Sequence, residues 1–201
     1  HELHHALQDQ LWDLSSFDYL YDEERWEEYE ALTMLIEGEA RYVEDQYLNT
    51  FDEQQRLAYN SEAGSFGGGR PQPAIIQFVT LAYYKDGRGF VEDLYEEGGW
   101  DAVDAVWANP PTTTEQAKHT NRYLEGEQPI PVDIPDLGIE GYELYEEDTW
   151  GENDFIGMFA VEEVGAAGVL AATKWGGDEY QIYWNVESET TVLVKIGRAH
   201  V

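Results

Sequence analysis

The sequence predicts an α+β fold that is mainly α-helical and ends in a C-terminal β-hairpin. Apolar residues recur at spacings of three and four along most of the chain up to Tyr123, the pattern of amphipathic helices. Two segments rich in β-branched and aromatic residues near the C-terminus flank a short polar turn, which predicts the hairpin. The 14 Tyr, 7 Trp and 7 Phe supply ample apolar surface, so the chain is expected to bury a core.

The first two helices have the clearest pattern. Residues 1–14 form a helix with an apolar face behind its histidines, made of Leu3, Ala6, Leu7, Leu11 and Leu14. Residues 15–22 are predicted as a break. A long helix is predicted over residues 23–51, because apolar side chains recur on one face from Trp26 to Tyr47.

Glycine and proline divide the middle of the chain. The polar stretch 63–73 is predicted as a loop. Helices are predicted over residues 73–84, 90–97 and 100–108, with glycines at 87–89 and 98–99 between them. Their aromatic side chains are expected to lie in the core, namely Tyr83, Tyr95, Trp100 and Trp107.

The last third mixes caps, loops and the hairpin. Three threonines followed by Glu115 and Gln116 give a capping box in either register, and so predict the start of a short helix. Three prolines make residues 126–138 extended and loop-like. Further elements are predicted as helices over 154–163 and 166–173, a turn over 175–178, and strands over 180–186 and 190–196.

The charge of the chain is strongly one-sided. It has 42 acidic and 11 basic residues, a net charge of -31, and the acids are spread along the sequence. Such a surface repels phosphates, which argues against nucleic acid and anionic membranes as partners. We interpret it as adaptation to high salt, where ions screen the self-repulsion, with calcium storage or an acidic interaction surface as alternatives. The protein is then expected to lose structure at low salt.

The sequence lacks two features that would indicate particular kinds of site or location. The chain has no cysteine, which excludes disulfides, thiolate metal ligands and cysteine nucleophiles, so any metal must be held by His, Asp or Glu. No apolar run approaches the length that spans a bilayer, so no transmembrane segment is predicted.

The chain opens with HELHH, an H-E-x-x-H match formed by His1, Glu2 and His5. On a helix, positions i and i+4 share a face, so both imidazoles can reach one zinc ion. Glu2 follows directly and can serve as general base toward water at the open position of the metal. His4 is an alternative ligand at i+3, but the i+4 spacing of His5 leaves Glu2 aimed at that position. An incidental histidine patch would give the same five letters.

A later helix supplies a third candidate ligand. Glu37 is followed by Gly38, and the interval from His5 is long enough for a loop and a returning antiparallel helix. Glycine inside a helix costs about 1 kcal/mol relative to alanine, so a close approach between the two helices would explain its presence. The alternative is that Glu37 is one more acid in an acidic protein.

The order H-E-x-x-H and then E-G-x-A resembles the gluzincin metallopeptidases. More closely, HELHHALQDQ, LIEGEARYVE and the segment 89–124 are similar to a family of bacterial and haloarchaeal secreted or surface proteins regarded as metallopeptidases. The resemblance covers roughly residues 1–137. It implies Zn2+ as cofactor, the ligands His1, His5 and Glu37, and Glu2 as general base. Where thermolysin-like enzymes have an Asp that orients a histidine, this chain has Arg41, so Asp9 or Glu44 is expected to replace it.

The same family pattern continues in the segment TTTEQAKHTNRYL. His119 and Tyr123 lie four residues apart and could both face the cleft on a helix, where they could stabilise a tetrahedral oxyanion. The alternative is that this capped segment only packs against the other helices.

These features together predict a zinc-dependent peptidase acting on peptide or protein substrates. The alternative is a catalytically inactive cell-surface or interaction module that keeps the fold. The resemblance implies an extracellular or cell-surface location. We divide the chain into a zincin-like core over residues 1–137, a closing helix and hairpin of the same domain over 138–195, and residues 196–201.

The terminal string IGRAHV resembles the translation of a sequencing adapter and is interpreted as an artefact, with an ordinary strand end as the alternative. Because the sequence opens inside the metal motif, the full protein is expected to extend before His1 and past Lys195.

Overall fold

The computed structural model describes residues 1–63, 72–161 and 165–200. The described α-helices are α1 Glu2–Trp12, α2 Tyr19–Asp22, α3 Trp26–Leu48, α4 Glu53–Ala63, α5 Ala74–Val106, α6 Thr114–Lys118, α7 Thr120–Glu125, α8 Gly151–Val161 and α9 Gly165–Ala172. The described strands are β1 Glu143–Asp148, β2 Trp175–Asn185 and β3 Thr190–Ala199. The fold is α+β and mainly helical, as the sequence predicts.

The two long helices α3 and α5 form the centre of the fold. They approach closely enough that a Cβ atom on Gly38 would lie 2.2 Å from the carbonyl carbon of Gly87, and one on Gly87 would lie 2.0 Å from the carbonyl oxygen of Met34. The core lies between these helices and the turns around them, formed by Leu20, Leu32, Leu35, Tyr42, Phe90, Val91, Leu94, Val103, Val106 and Trp107. The predicted close approach at Gly38 is thus found, but its partner is α5 rather than α1.

Of the two helix breaks predicted between residues 73 and 108, one is found and the other is not. The glycines at 87–89 do not end a helix, because α5 runs through them and uses Gly87 as a contact point with α3. The helix is interrupted at Gly98 and Gly99, as predicted, and Gly99 has φ 67° and ψ -157°, a conformation open essentially to glycine alone. The predicted loop over 63–73 lies mostly outside the described residues.

The prediction for the apolar face of α1 is wrong. Leu3, Leu7 and Leu11 are exposed, Leu3 at 89%, whereas the single buried residue of the helix is Gln8. The histidine side of α1 faces α3, and Trp12 stacks on Trp107 with ring centroids 5.6 Å apart. The polar face is therefore the packed face of this helix.

The aromatic residues of α5 also depart in part from the prediction. Trp107 is buried in the core, but Tyr95 and Trp100 are exposed and contact the ring of Tyr42, Trp100 edge to face. Tyr83 is half-buried. The kink at Gly98 and Gly99 changes the face of the helix that meets the core, which a single helical period cannot anticipate.

The strands form one antiparallel sheet in the order β1-β2-β3. The predicted hairpin is present as β2 and β3, paired from Asn185↔Thr190 to Trp175↔Ala199. The turn predicted over 175–178 is wrong, because these residues begin β2 and form an irregularity in its pairing. Strand β1 was not predicted, since its sequence ELYEED is largely acidic.

Asp178 fixes the sheet to the helical part. Its carboxylate accepts hydrogen bonds from the backbone N–H groups of Trp150 and Gly151 at the start of α8, and from the indole of Trp175. Lys195 forms an ion pair with it and lies 3.8 Å from the ring centroid of Trp150. The hairpin is thereby joined to the start of α8, which also lies within the predicted closing segment 138–195.

Three smaller predictions concern residues 15–22, the start of α6 and the C-terminal residues 196–201. Residues 15–22 form a 3-10 helix, Leu14–Phe17, and α2 rather than an open break. Thr113 caps α6 by accepting a hydrogen bond from the backbone of Gln116. Residues 196–199 continue β3 in its pairing with β2, and their interpretation as an artefact stays a prediction.

Among the described residues, no helix combines the length and apolarity needed to cross a bilayer.

Candidate metal centre

Three side chains from α3 and the N-terminal end of α1 converge on one point. The Nε2 atom of His1 lies 3.1 Å from Glu37 Oε2 and 3.3 Å from His5 Nε2, and His5 Nε2 lies 3.5 Å from Glu37 Oε2. All three side chains are half-buried. Among the described residues, this is the one group of three or more His, Asp or Glu side chains whose ligand atoms lie within 4.8 Å of one another.

The local sequence explains the convergence. The four-residue spacing puts His1 and His5 on the same side of α1, and that side packs on α3. Gly38 lets α3 lie directly against α5, while Glu37 beside it points toward α1. The structure therefore brings together the three residues that the sequence predicts as ligands.

Gln8 controls which nitrogen of His5 carries a proton. Its Nε2 donates hydrogen bonds to the carbonyl oxygen of Ile36 and to Glu39 Oε2, both at 3.0 Å. Its Oε1 must then accept a hydrogen bond from His5 Nδ1, at 2.8 Å. With the proton on Nδ1, the lone pair of His5 Nε2 points toward His1 and Glu37. The sequence analysis did not identify Gln8, although it lies three residues after His5.

Glu44 occupies the equivalent place beside His1. Its Oε2 lies 3.5 Å from His1 Nδ1, within ion-pair distance although the geometry is not that of a hydrogen bond. Arg41 donates to the same carboxylate at 2.9 Å, and the hydroxyl of Tyr59 donates to its other oxygen. Of the two predicted partners, Glu44 is therefore the one beside the cluster, and Asp9 is exposed. Arg41 forms an ion pair with Glu44 and makes no contact with the histidine of the kind that the Asp of thermolysin-like enzymes makes.

His4 lies outside the cluster. Its Nε2 is 3.2 Å from Glu39 Oε1, and Glu39 also accepts hydrogen bonds from Gln8 and from the indole of Trp107. His4 is half-buried, and the structure places His5 rather than His4 in the cluster.

Tyr84 of α5 closes the cluster on another side and was not predicted. Its ring centroid lies 5.8 Å from that of His1. Partial burial, the charge of Glu37 and a hydrogen bond to Glu37 all raise the pKa of Tyr84, as does the charge of Glu2. Glu2 itself is exposed on the first turn of α1. The charge of Glu2 is thus close enough to act on the Tyr84 hydroxyl.

His119 and Tyr123 are held by other partners. His119 Nε2 lies 3.0 Å from the buried carboxylate of Glu152, and this hydrogen bond raises the pKa of His119. The Tyr123 hydroxyl donates to the carbonyl oxygen of Asn109, and its ring packs on Phe90. In the part of the chain that the structure describes, no hydrogen bond or ion pair joins either residue to the three-residue cluster. Their catalytic role stays a prediction.

Comparison of the chain with family models, with curated proteins and with solved structures gives no match.

Proposed function

We propose that the chain is a zinc-dependent peptidase that hydrolyses peptide bonds in peptide or protein substrates, with Glu2 as general base. The observation that carries the proposal is the triangle of His1 Nε2, His5 Nε2 and Glu37 Oε2, with sides of 3.1, 3.3 and 3.5 Å. The resemblance to secreted or surface metallopeptidases favours the same function and an extracellular or cell-surface location.

The triangle fits the donor set and size that zinc prefers. Ligand atoms at about 2.0–2.1 Å from a tetrahedral ion lie about 3.3 Å from one another, close to the three measured separations. Two imidazoles and one carboxylate, with the fourth position open, are the ligands typical of catalytic zinc in peptidases. A zinc ion held there would act as a Lewis acid toward the substrate carbonyl and would lower the pKa of a bound water.

The charges of the cluster also favour a cation. In the neutral tautomer that Gln8 favours, His5 carries its proton on Nδ1, and the lone pair of Nε2 faces a carboxylate oxygen of Glu37 at 3.5 Å. Two acceptors this close in a half-buried site repel each other unless a proton or a metal ion lies between them. The surrounding hydrogen bonds thus support metal binding, because they hold the ligand atoms in their metal-binding form.

Peptide hydrolysis also needs a general base and a donor to the oxyanion, and we assign these roles to Glu2 and Tyr84. Glu2 is free of ion pairs among the described residues and adjoins the first ligand, so its carboxylate can accept a proton from the attacking water and return it to the leaving amine. The Tyr84 hydroxyl, beside Glu37, can donate a hydrogen bond to the oxyanion that forms. In this proposal Tyr84 takes the role that the sequence assigned to His119 and Tyr123.

The test is peptide hydrolysis in molar salt after removal of metal with a chelator and return of zinc. A quenched fluorescent peptide library reports cleavage at any bond. Wild type is expected to regain activity with zinc. Glu2→Gln should bind zinc equally but cleave about 10²–10⁴ times more slowly, because it cannot accept a proton.

The matched control is Glu53→Gln, which removes the same charge from an exposed position on α4. It should cleave at the wild-type rate. Hydrolysis that survives chelation, or equal rates for wild type and Glu2→Gln, would refute the proposal. Zinc binding without any hydrolysis would favour the inactive surface module instead.

A further inference from the structure

A cavity of about 350 Å³ lies between α8, α9 and the strands β2 and β3, and none of its lining residues belongs to the histidine cluster. Phe155 and Phe159 of α8 line it together with Ala171 and Ala172 of α9. Trp175 at the start of β2 and the end of β3 complete the lining. The cavity is therefore largely apolar, and its volume is in the range of about 300–1,000 Å³ typical of small-molecule sites.

The lining of this cavity has the opposite charge to the rest of the protein. Its described residues include Lys174, Lys195 and Arg198 and no acid. Four other cavities among the described residues are each lined by at least two Asp or Glu side chains. Most of the lining comes from segments 164–177 and 190–201, which contain no acid although the chain has 42 acids in 201 residues. An anionic ligand is therefore attracted here and repelled by most of the remaining surface.

Lys174 and Arg198 are the cations that a ligand can use. Lys195 is already engaged, because its ammonium group lies 2.5 Å from the carboxylate of Asp178 and 3.8 Å from the ring centroid of Trp150. Six of the described basic residues, Lys195 among them, form ion pairs with acids. Lys174 and Arg198 are exposed and form no ion pair with another described residue. Their long side chains can cover apolar surface with their methylene groups while the charged ends reach the rim of the cavity.

The other lining side chains favour a plain hydrocarbon body for the ligand. Apart from the three cations, the indole of Trp175 is the one described lining side chain that can form a hydrogen bond. It already donates to Asp178 Oδ1 at 2.6 Å. The amide groups of a peptide would find no free side-chain partner in this lining, and burying them without one is costly. An alkyl chain has no such groups and gains by contact with Phe155 and Phe159.

We propose that this cavity binds an amphiphile with an alkyl chain and a carboxylate head, such as a medium-chain fatty acid. The chain lies against Phe159 and α9, and the carboxylate at the rim accepts hydrogen bonds from Lys174 and Arg198. Arg198 belongs to the segment interpreted as an artefact, whereas Lys174 and the apolar lining from α8 and α9 do not. The proposal therefore rests on Lys174 and that apolar lining. It does not require the metal centre.

The test is calorimetric titration of metal-free protein with octanoate in molar KCl, which screens the acidic surface. Wild type is expected to bind octanoate saturably, at about one molecule per chain. The compound 1-octanol has the same chain without the charge and should bind about threefold more weakly or less. Octylammonium has the same chain with the opposite charge, and it should compete with octanoate at least about tenfold less well than unlabelled octanoate itself.

Two variants with matched controls locate the site. Lys174→Gln should weaken octanoate binding about threefold, because an exposed ammonium group contributes modestly in molar salt. Lys85→Gln removes another exposed ammonium group and should bind like wild type. Phe159→Ala should weaken binding about tenfold, because it removes apolar surface that contacts the chain. Phe51→Ala truncates another half-buried phenylalanine, outside the cavity, and should keep wild-type affinity.

Circular dichroism identifies a variant that does not fold, in which case the other variant and the three ligands decide the result. Absence of saturable octanoate binding to wild type, or octylammonium competing as well as octanoate, would overturn the proposal. Unchanged affinity in both folded variants would place octanoate elsewhere and overturn this site. Sedimentation with anionic lipid vesicles, without binding of free octanoate, would assign the surface to a membrane instead and also overturn it. None of these outcomes depends on zinc or hydrolysis.

Discussion

At the scale of single residues, Gln8 fixes the orientation of His5, one of the proposed metal ligands. Its amide group is fixed by two acceptors on α3, so its oxygen can only receive the Nδ1 proton of His5. A histidine with the other tautomer would present an N–H group, not a lone pair, to the metal. One buried glutamine thus links the packing of α1 on α3 to the chemistry of its neighbour.

Replacing Gln8 by leucine is expected to weaken zinc binding about 10–100-fold, because His5 loses the partner that fixes its tautomer and orientation. Competition with a chromophoric chelator measures the affinity. Gln10→Leu is the matched control, since Gln10 is exposed on the same helix. Equal affinities for the two variants would show that Gln8 does not position the ligand.

Tyr84→Phe tests the proposed oxyanion donor. Loss of one such donor lowers kcat about 10²–10³-fold in other hydrolases, and we expect an effect in this range with little change in zinc content. Tyr95→Phe, which removes a hydroxyl from another exposed tyrosine of α5, is expected to keep wild-type kcat. A reduced kcat in Tyr123→Phe but not in Tyr84→Phe would instead support the role predicted from sequence.

The four-residue spacing of His1 and His5 and the position of Glu37 on a later helix predicted which side chains meet, although Gly38 approaches α5 and not α1. The partners of those side chains were not predictable, since a glutamine or a tyrosine has no characteristic spacing. Tyr84 in particular reaches the cluster from α5, and only the packing of α5 on α3 determines which of its residues lies there.

At the scale of elements, the close contact between α3 and α5 positions Glu37 and Tyr84 relative to each other. Gly38 and Gly87 meet backbone to backbone, so neither position has space for a side chain. Gly87→Ala would place its Cβ 2.0 Å from the Met34 carbonyl oxygen. We expect it to lower the free energy of unfolding by about 3 kcal/mol or more, because two helices must move apart.

Gly89→Ala is the matched control for this prediction. It lies two residues further along the same helix, and a Cβ atom added there would meet no atom within 4 Å beyond the backbone of its own helical turns. It should raise the free energy of unfolding by about 1 kcal/mol, the helix-propensity difference between glycine and alanine. Denaturant titration in molar salt measures both variants. A similar effect of the two substitutions would contradict the close packing at Gly87.

Periodicity predicted α1 and α3 but not α4, and it did not always predict which face of a helix packs against the core. In α1 the apolar stripe is exposed and the polar stripe is packed, because the side facing α3 carries the cluster and its hydrogen-bond partners. A rule that buries apolar residues fails where the packed face of a helix carries hydrogen-bonded polar groups. Strand β1 was missed for a related reason: it lies at the edge of the sheet and is mostly acidic, so it lacks the alternating apolar pattern.

At the scale of the whole molecule, the acidic composition should make stability depend on pH. Glu30 and Asp154 have folded-state pKa values of about 8 and about 6, above their ordinary values of 4.5 and 3.8. The folded state therefore binds more protons than the unfolded state between those limits, and stability falls as pH rises through the window.

The expected slope is at most about 1.4 kcal/mol per pH unit for each group. Thermal unfolding of metal-free protein between pH 5 and pH 8.5 in molar salt measures it. Glu30→Gln should flatten the upper part of the curve, and Glu53→Gln should not. Stability that rises with pH across this range would contradict the burial of these acids.

The net charge of -31 makes salt part of the same balance. With acids dispersed over the whole surface, self-repulsion is expected to unfold the protein as salt is withdrawn. The folded protein is therefore expected only in molar salt.

Zinc content is the measurement that tests the central claim most directly. Elemental analysis of wild type, Glu37→Ala and Glu53→Ala, purified in molar salt with zinc supplied and excess removed, gives the stoichiometry. The proposed site predicts about one zinc per chain in wild type and in Glu53→Ala, and loss of that zinc in Glu37→Ala. No zinc in wild type, or the same content in all three proteins, would contradict a metal centre at His1, His5 and Glu37.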